Sequence, residues 1–421
     1  MTAENNLTIC HFSTEKSGGA GLFAFNIHRT FYENKIANSI FITREKTSYP
    51  NTHVINPITR QELKVRSFGY KTLGKFSILK NEYAPFSLEP PFINVNKVVQ
   101  ELKNQKPDVL IFYWISFFLN TKSLLKLKLA FPNTLFVFIP LDNSFLTGGC
   151  HLSLNCKNFQ QTCQDCPASG SRLLRRHIYK SAVKRFRFYR EHSKLVFACA
   201  TTDIQRMIEE NSLITTVDNF LLPLGAVSAQ EIIVHNETRG QRTHDTRHKI
   251  LVRSSKEKRK GTQEFILALK KLARDKPQIA KKIHINSIGD TTIFDGLAGE
   301  NLSHTYHGFV NREQLLNIYA LNDTVFITSS FDHGPIMVNE AQALGLHLIC
   351  TKLGVAKDIA DTASGDIVLD NAHYDQFYQA LMQLSAKLKI SRRAKAQNRQ
   401  LSLENYCVML LSELSRRVKS I

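Results

Sequence analysis

The chain has 421 residues, which is too many for one ordinary hydrophobic core, so we expect two domains. Its apolar fraction of 43% and charged fraction of 22% are typical of a soluble globular protein, and no apolar run reaches the roughly 18 residues of a membrane-spanning helix. The formal net charge of +19 favours polyanionic partners, without distinguishing nucleic acid, anionic lipid and phosphorylated substrates. The first residues, MTAENNL, lack the basic and apolar regions of a signal peptide, so we expect a cytoplasmic protein.

In the N-terminal half, strand patterns alternate with helix patterns. The predicted strands are residues 7–12, 39–43, 108–114 and 135–140. A glycine turn at 17–21 follows the first strand, and Phe23, Ile27 and Phe31 then recur at the spacing of a helix.

The C-terminal half repeats this alternation. Its predicted strands are residues 249–255, 284–289, 323–330 and 347–351. Helices are predicted at 261–275 and 335–344, whereas the polar and basic segment 228–248 is predicted to be a linker or a solvated loop. The alternation predicts an α/β protein of two doubly wound, Rossmann-like domains that face a central cleft, with ligands at the carboxyl ends of the strands.

Two carboxylates stand eight residues apart in the stretch SSFDHGPIMVNEAQALG, residues 329–345. Asp332 lies in the loop after a predicted strand, Pro335 suits the first turn of the next helix, and Glu340 lies about a turn and a half inside that helix. The amide groups at a helix N-terminus bind anions. A phosphorylated sugar carrying a ribose fits this arrangement, with its diphosphate at the helix mouth, its sugar near Asp332 and its ribose near Glu340. The alternative is an N-capping aspartate and a solvated helical glutamate.

The same stretch resembles the acid-x7-Glu motif of retaining glycosyltransferases with the GT-B fold, in particular the glycosyltransferase family 4-like enzymes of the colanic-acid and cell-surface polysaccharide branch. In that motif the first acid contacts the transferred sugar and the second contacts the nucleotide ribose. The resemblance implies these roles for Asp332 and Glu340, and a diphosphate site at Gly334, Pro335 and Ile336. The first acid is Asp here, whereas Glu is commoner in the family.

Two glycine-containing turns also resemble the family. The N-terminal turn at 17–21 resembles the glycine loop before the first helix, where Gly18, Gly19 and Gly21 would let the backbone approach the donor phosphate and the acceptor. Gly354 lies in a stretch that resembles the loop near the donor sugar. A glycine turn alone is weak evidence, because tight turns need glycine in any protein.

A basic turn, KRKG at 258–261, resembles the turn whose cations clamp the donor diphosphate. The resemblance implies catalytic roles for Arg259 and Lys260, with Arg253 as a third cation that binds the donor. Without the family context, this would be an ordinary solvated turn. The stretch LPLGAV at 222–227 resembles the hinge strand before the second domain.

The resemblance covers nearly the whole chain and implies a retaining glycosyltransferase of hexosyltransferase type. It would move a sugar from a nucleotide-sugar donor to a glycan or lipid-linked acceptor in the synthesis of cell-surface polysaccharide or lipopolysaccharide of the cell envelope. It implies an acceptor-binding domain at 1–225, a donor-binding domain at 226–400 and a helix at 401–421 that packs back toward the first domain. No Asp-x-Asp pair occurs in the sequence, which argues for catalysis without a metal or other cofactor. The cations and the helix N-terminus would stabilise the leaving diphosphate.

The chain departs from the family at Leu141, where a histidine normally precedes Asp142. Asp142 stays a candidate catalytic group. The departure supports an alternative function, a catalytically silent GT-B-like subunit that binds a partner or a nucleotide; Asp332, Glu340 and Lys260 oppose it. A nucleic-acid-binding protein is a second alternative, supported by charge alone, and we expect no nucleic-acid partner.

Four cysteines are crowded into the insert 147–169 with the spacing Cys-x5-Cys-x6-Cys-x2-Cys. They are Cys150, Cys156, Cys163 and Cys166. Four thiolates at this spacing can bind a tetrahedral zinc ion, and His151 could replace one of them. Reduced free cysteines and disulfides are the alternatives, and disulfides are rare in the cytosol. We expect a structural zinc ion.

The segment 172–194 contains nine Lys or Arg residues and one Glu. One helical face is apolar and consists of Leu174, Ile178, Ala182, Phe186 and Tyr189. Another face is basic and consists of Arg176, Lys180, Lys184 and Arg187. The pattern predicts either a surface helix packed on its own sheet or a basic face that holds a peripheral enzyme against anionic lipid at the inner face of the cytoplasmic membrane.

Overall fold

A computed structural model describes residues 7–59, 61, 86–241, 245–297, 299–386 and 399–419. The chain divides into two compact units. The first comprises Met1–Leu222 together with Cys407–Ile421, and the second comprises Pro223–Tyr406. Each unit contains one parallel β-sheet and helices that cover it, which is the predicted α/β class.

The first unit is built on a seven-stranded parallel sheet. Its strands are β1 (Thr8–Ser13), β2 (Asn38–Thr43), β3 (Thr52–Val54), β4 (Val109–Trp114), β5 (Leu135–Phe138), β6 (Leu195–Cys199) and β7 (Asp218–Leu221). The strand order is β3-β2-β1-β4-β5-β6-β7. The central strands are nearly continuous apolar runs, such as VLIFYW in β4, because a parallel sheet is buried on both faces.

In the described part of the first unit, five helices connect these strands. They are α1 (Gly18–Glu33), α2 (Asn96–Gln105), α3 (Thr121–Ala130), α4 (Arg172–Glu191) and α5 (Thr202–Glu209). The side-chain oxygens of Asn120, Ser171 and Thr201 each accept a hydrogen bond from a first-turn amide and so fix where α3, α4 and α5 begin.

The second unit is built on a six-stranded parallel sheet. Its strands are β8 (His248–Ser254), β9 (Ile283–Gly289), β10 (Ser303–Tyr306), β11 (Thr324–Ile327), β12 (His347–Thr351) and β13 (Ile367–Leu369). The strand order is β10-β9-β8-β11-β12-β13. The loops that follow β8, β11 and β12 are therefore neighbours at the carboxyl edge of this sheet.

The helices of the second unit are α6 (Ala229–Gly240), α7 (Thr262–Asp275), α8 (Pro277–Ala280), α9 (Arg312–Leu321), α10 (Ile336–Leu344), α11 (Val355–Ile359) and α12 (Tyr374–Ala386). Helix α10 is unusual because every residue from Met337 to Leu344 is buried. A helix buried on all sides cannot leave a charged side chain in water, so Glu340 within it needs partners from the protein.

The predicted strands are all present, although β11 ends three residues earlier than predicted and leaves residues 328–330 in the following loop. The predicted helices at 261–275 and 335–344 are also confirmed. The sequence patterns missed the strands β3, β6, β7, β10 and β13.

The predicted linker at 228–248 was wrong, because α6 occupies most of it. Ser228 and Glu231 form a reciprocal capping box that starts this helix, and Ile232 and His235 are buried on its inner face. Residues 242–244 of the segment lie outside the described residues.

The last helix, α13 (Leu403–Lys419), begins in the second unit, and its residues from Cys407 onward group with the first unit. Near its end, the Arg417 guanidinium donates to Asp218 at 2.8 Å and lies 4.4 Å from the ring centre of Phe220. Among the described residues, no helix combines the length and the apolar character that crossing a membrane requires.

Candidate active site

The basic turn at Lys258–Lys260 is fastened to the loop after β11 by hydrogen bonds to its backbone. The Ser330 amide donates to the Arg259 carbonyl at 2.7 Å, and the Thr328 hydroxyl donates to the Lys260 carbonyl at 2.5 Å. Gly261 follows with φ +68°, and a Cβ atom there would lie 1.9 Å from the Thr328 carbonyl oxygen. Only glycine fits this approach, which brings two cationic side chains to the predicted acidic loop.

Asp332 lies in that loop and forms an ion pair with Lys260, whose Nζ is 2.5 Å from Oδ2. Arg259 Nη1 is 3.9 Å from the same oxygen, and the Gly334 amide donates to Oδ1 at 3.3 Å. Burial raises the pKa of the Asp332 carboxyl, but the Lys260 ammonium, the Gly334 amide and Arg259 outweigh burial and hold that pKa below its ordinary value. Asp332 is therefore an ionised carboxylate next to two cations.

The loop after β12 packs against the loop that contains Asp332. Gly354 has φ +48°, and a Cβ atom there would lie 2.4 Å from the His333 carbonyl oxygen and 2.8 Å from that of Asp332. Any other residue would push the two loops apart. The three predicted site loops thus converge at the carboxyl edge of the second sheet.

Helix α10 starts directly after the acidic loop. Pro335 occupies its N-cap position, one residue earlier than predicted, and no side chain in the described part of the chain caps the helix. The first-turn amides beginning at Ile336 are those that lack partners within a helix. The Val338 amide already donates to the Pro335 carbonyl at 2.8 Å. Such a helix N-terminus, with its dipole, is suited to bind an anion beside Asp332.

Glu340 is only 3% exposed, so the alternative of a solvated helical glutamate is wrong. The Tyr319 hydroxyl donates to its Oε2 at 2.5 Å, and Arg312 Nη1 donates to its Oε1. Burial raises the pKa of Tyr319 well above its ordinary value, and the Glu340 carboxylate raises it further. Tyr319 therefore stays a hydrogen-bond donor to this carboxylate.

Arg312 and Tyr319 were missed by the sequence analysis, and so was Glu231. Arg312 Nε donates to Glu231 Oε1 at 2.7 Å, and its Nη2 donates to Oε2 at 3.1 Å and to the Ala226 carbonyl at 3.0 Å. The capping box at residues 228–231 was the one signal in the sequence that could have placed Glu231 in an ordered helix.

Arg253, the third predicted cation, is exposed near the carboxyl end of β8. Its charge opposes the rise in the pKa of Tyr319, so it lies near the Glu340 pair. The structure therefore groups the predicted donor-binding residues of the second unit around β8, β11 and α10.

Comparison with known proteins identifies this region. The sequence pattern of the family described as Glycosyl transferases group 1 matches residues 235–401, which include Arg259, Lys260, Arg312, Asp332 and Glu340. The protein is a glycosyltransferase with a group 1 domain. Its sequence is 22% identical over 299 residues to the putative colanic acid biosynthesis glycosyl transferase WcaC of Escherichia coli (strain K12), across 66% of this chain and 68% of that one.

Solved structures agree on the fold of this glycosyltransferase. Sucrose-phosphate synthase from Thermosynechococcus elongatus matches with a TM-score of 0.63 and 13% identity over 98% of this chain and 99% of that chain. Anabaena HepE in complex with UDP-glucose matches with a TM-score of 0.58 and 12% identity over 98% and 99% of the two chains. At such low identity these matches show the fold alone, which is GT-B.

In the first unit of the glycosyltransferase, the predicted glycine turn starts α1 at Gly18. Gly18 and Gly19 are exposed, and a Cβ atom at either would meet nothing within 4 Å, whereas one at Gly21 would lie 2.4 Å from the Glu15 carbonyl oxygen. The sequence analysis missed Glu45, whose Oε2 accepts hydrogen bonds from the amides of Lys16 (2.8 Å) and Ser17 (3.1 Å). The turn that is predicted to approach a phosphate therefore already holds one carboxylate.

Asp142 is engaged in a buried hydrogen-bond chain of the glycosyltransferase's first unit. His151 Nδ1 is 2.6 Å from Asp142 Oδ2, and His151 Nε2 is 2.5 Å from the Ser87 hydroxyl. The Ser144 amide donates to Asp142 Oδ1 at 2.8 Å. Burial raises the pKa of Asp142, but His151 and Ser144 together hold it below its ordinary value. Through His151, the Asp142 carboxylate holds the start of the cysteine-rich insert in place. The catalytic role of Asp142 stays a prediction.

The structure does not support the predicted zinc ion. All eight cysteines are free thiols, and the described residues, which include the whole insert, contain no group of three or more His, Cys, Asp or Glu side chains arranged to hold a metal. Burial raises the pKa of Cys150 to about 12 and raises that of Cys163 and Cys166. In the described structure the insert is held by apolar packing, to which Cys163 and Cys166 contribute, and by the Asp142 chain.

The basic helix is α4. Its predicted apolar face, from Leu174 to Tyr189, is buried in the first unit, which confirms packing on its own sheet. The four predicted basic positions, Arg176, Lys180, Lys184 and Arg187, are exposed, as is Leu173 at 81%. Arg185 is an exception to the pattern, because it points inward and pairs with Glu89 at 2.8 Å.

Proposed function

We propose that this glycosyltransferase transfers a sugar with retention of configuration from a nucleotide-sugar donor to a glycan or lipid-linked acceptor, in the synthesis of cell-surface polysaccharide or lipopolysaccharide. One observation carries the proposal: the ionised Asp332 and the cations Lys260 and Arg259 lie beside the N-terminus of α10. This arrangement suits a sugar diphosphate, because the cations can pair with its phosphates and the carboxylate can accept hydrogen bonds from its sugar hydroxyls.

The departing nucleoside diphosphate gains negative charge as the sugar acquires oxocarbenium character. Lys260, Arg259 and the first-turn amides of α10 would stabilise that charge, because they are held in place before reaction by the Gly261 and Gly354 contacts. Asp332 would orient the sugar hydroxyls. In the metal-free route that the family resemblance implies, a leaving phosphate oxygen takes the acceptor proton, so no separate base is required.

Assignment of the donor to the second unit follows from this cluster, and the acceptor would bind the first unit, where the glycine turn exposes Gly18 and Gly19. The WcaC name supports a cell-surface polysaccharide as the product class. The HepE complex with UDP-glucose makes UDP-sugars the first donors to test.

A peripheral position at the inner face of the cytoplasmic membrane is part of the proposal. Helix α3 packs beside α4, and Leu125 and Leu129 of α3 are exposed, as is Leu173 of α4. Cations together with exposed leucines suit an anionic lipid surface, where each Lys or Arg contributes about 1 kcal/mol.

A vesicle experiment tests this position. Binding to phosphatidylglycerol-containing vesicles should weaken with salt, and it should be lost when Arg176, Lys180, Lys184 and Arg187 are all changed to Glu. Reversing exposed charges on another helix, at Lys270 and Arg274, should leave binding intact. Persistent binding of the α4 variant would show that this face is not the membrane contact.

A catalytically silent subunit is the second candidate, favoured by Leu141 and by the engagement of Asp142 with His151. One experiment separates the two. Purified protein is incubated with UDP-, GDP- and ADP-sugars, and release of nucleoside diphosphate is followed together with the anomeric configuration of the product by NMR. Turnover with retention supports the proposal. Nucleotide binding without turnover of any donor supports the silent subunit, and inversion contradicts the retaining mechanism.

A further inference from the structure

The mechanism above uses Glu340 only as an acceptor for ribose hydroxyls, but the structure shows a carboxylate that two other side chains already hold. Arg312 donates to one of its oxygens and Tyr319 donates to the other. A carboxylate has about four acceptor positions, so two remain for a ligand. Their directions are set by the orientation of the carboxylate, and this orientation is set by its two partners.

Arg312 is itself fixed on several sides. It is the first residue of α9, and a capping box between Asn311 and Gln314 fixes the start of that helix. Its planar guanidinium donates to Glu340, to both oxygens of Glu231 and to the Ala226 carbonyl. A lysine ammonium cannot reproduce these contacts, because it lacks the flat fork of donors.

The charges at this place require a cation. Glu340 is 3% exposed and Glu231 lies on the other side of the same guanidinium. Without Arg312, the buried Glu340 and the partly buried Glu231 would face one another with no cation between them, and the two carboxylates would repel each other. Glu340 would then lose the orientation in which its free oxygens can accept from ribose hydroxyls.

We propose that Arg312 and Tyr319 are positioning residues of the donor site: their hydrogen bonds fix the Glu340 carboxylate so that its free lone pairs point at the 2′- and 3′-hydroxyls of the donor ribose. This inference rests on the proposed function. It also links the donor site to the segment at the start of the second unit, because Asn339, next to Glu340, donates to the Leu224 carbonyl at 2.9 Å.

The test compares ribonucleotides with their 2′,3′-dideoxy counterparts. Dissociation constants are measured calorimetrically for UDP, GDP and ADP and for the dideoxy form of whichever binds. The wild-type protein should prefer the ribonucleotide by about tenfold or more, since each hydrogen bond to a charged group is strong. In Arg312→Lys this preference should fall to near unity, while affinity for the dideoxy form should change little. A role in general stability alone would weaken both ligands equally.

Two further variants make the test decisive. Tyr319→Phe removes one donor and keeps the ring, so it should reduce the preference part of the way even if Arg312→Lys does not fold. Arg239→Lys is the matched control, because Arg239 also lies in the second unit and pairs with a carboxylate, Asp323, away from Glu340. It should keep the full preference for ribose.

The outcomes separate this inference from the proposed function. A full ribose preference in Arg312→Lys, or in Tyr319→Phe where the lysine variant is unfolded, would overturn the inference. A wild-type protein that binds a nucleoside diphosphate without preference for ribose would also overturn it and leave the proposed function standing. A wild-type protein that binds none of the three diphosphates would overturn both.

Discussion

Asp332 and Asp142 occupy similar local positions in the two units. Each lies in a loop after a parallel strand, each accepts a hydrogen bond from the amide two residues further on, and each pairs through Oδ2 with a basic side chain, Lys260 at 2.5 Å or His151 at 2.6 Å. The surroundings differ. The imidazole of His151 uses both nitrogens, on Asp142 and Ser87, and is 4% exposed. The Lys260 ammonium has three donors, and Asp332 takes one.

This difference shows how one local pattern can serve two purposes. In the Asp142 chain both ring nitrogens of His151 are engaged inside the protein, so the chain holds the cysteine-rich insert in place. The Asp332 pair stands beside an uncapped helix N-terminus and two glycine-dependent loops, so its cations can turn to a ligand. Burial and completed hydrogen bonds mark the structural cluster, and open donors mark the candidate active site.

The largest expected effect is a loss of stability when Arg185, which supports the Asp142 chain, is replaced. This residue donates to the Ser144 carbonyl at 2.5 Å, to the Thr147 carbonyl and to Glu89, and so supports the loop between Asp142 and His151. Arg185→Met leaves the partly buried Glu89 without its cation and two carbonyls without their donor, which should cost about 3 kcal/mol of stability.

Urea unfolding checks this, monitored by the only tryptophan, Trp114, which lies on β4 of the first unit. Arg187→Met is the control on the same helix, with its side chain 63% exposed, and should shift stability by no more than about 0.5 kcal/mol. Equal transitions in the two variants would show that Arg185 does not hold this region together.

On the active-site side, Lys260→Ala and Glu340→Gln should each lower turnover by about an order of magnitude or more. Each removes charge-assisted hydrogen bonds to the donor, which contribute about 1.5–3 kcal/mol. Initial rates at saturating and limiting donor measure the loss, and circular dichroism checks that the fold is retained. Lys270→Ala, an exposed lysine on α7, is the control. Normal turnover in both active-site variants would contradict the assignment of the donor site.

The sequence predicted the parts of this comparison that depend on local pattern. Asp332, Lys260 and Gly354 each lie in a short loop after an apolar strand, and parallel topology brings the ends of neighbouring strands together, so their convergence followed from the order of the motifs. The partners of Glu340 could not be found in this way. Arg312 stands 28 residues before it in the chain, and no periodicity links the two.

Two errors have the same physical origin. The segment 228–248 was judged by its polarity, but a polar helix can be ordered by a capping box and by one buried stripe, here Ile232 and His235. The zinc prediction rested on cysteine spacing, and spacing does not reveal how tertiary contacts place the four side chains relative to one another. In both cases the decisive information was tertiary, because burial and side-chain placement depend on contacts between distant segments.

Two buried histidines of the first unit should make stability depend on pH. His11 and His28 have ring centres 6.0 Å apart, and the Nδ1 of His28 is 2.8 Å from the Ser39 hydroxyl. Burial is the largest cause that lowers the pKa of His28 from 6.5 to about 4, and it lowers that of His11 well below 6.5. Between these pH values the unfolded chain binds more protons than the folded one, so the free energy of unfolding should rise from pH 4 to 6.5 and level off above 6.5.

Unfolding midpoints measured across this range check the sign. His28→Gln should flatten the slope, whereas His177→Gln, at an exposed position of α4, should leave it unchanged. The carboxylates whose pKa values lie below normal, such as Asp142 and Asp332, titrate below this window. A slope that is absent in the wild-type protein would show that these histidines are not held neutral by burial.

The smallest expected effect is that of a chelator. The chain has no Asp-x-Asp pair, and positive charge for the leaving diphosphate comes from Lys260, Arg259 and the amides of α10. Because these groups supply positive charge, we expect that the leaving diphosphate requires no divalent ion. Turnover measured within minutes of adding EDTA should therefore equal the untreated rate, and added magnesium should not increase it.

An immediate loss of turnover that magnesium or manganese restores would mean that a metal ion binds the diphosphate together with Lys260. In that case turnover of the Lys260→Ala variant should depend on the metal more strongly than turnover of the wild-type enzyme. The two measurements together therefore identify which cation neutralises the leaving diphosphate.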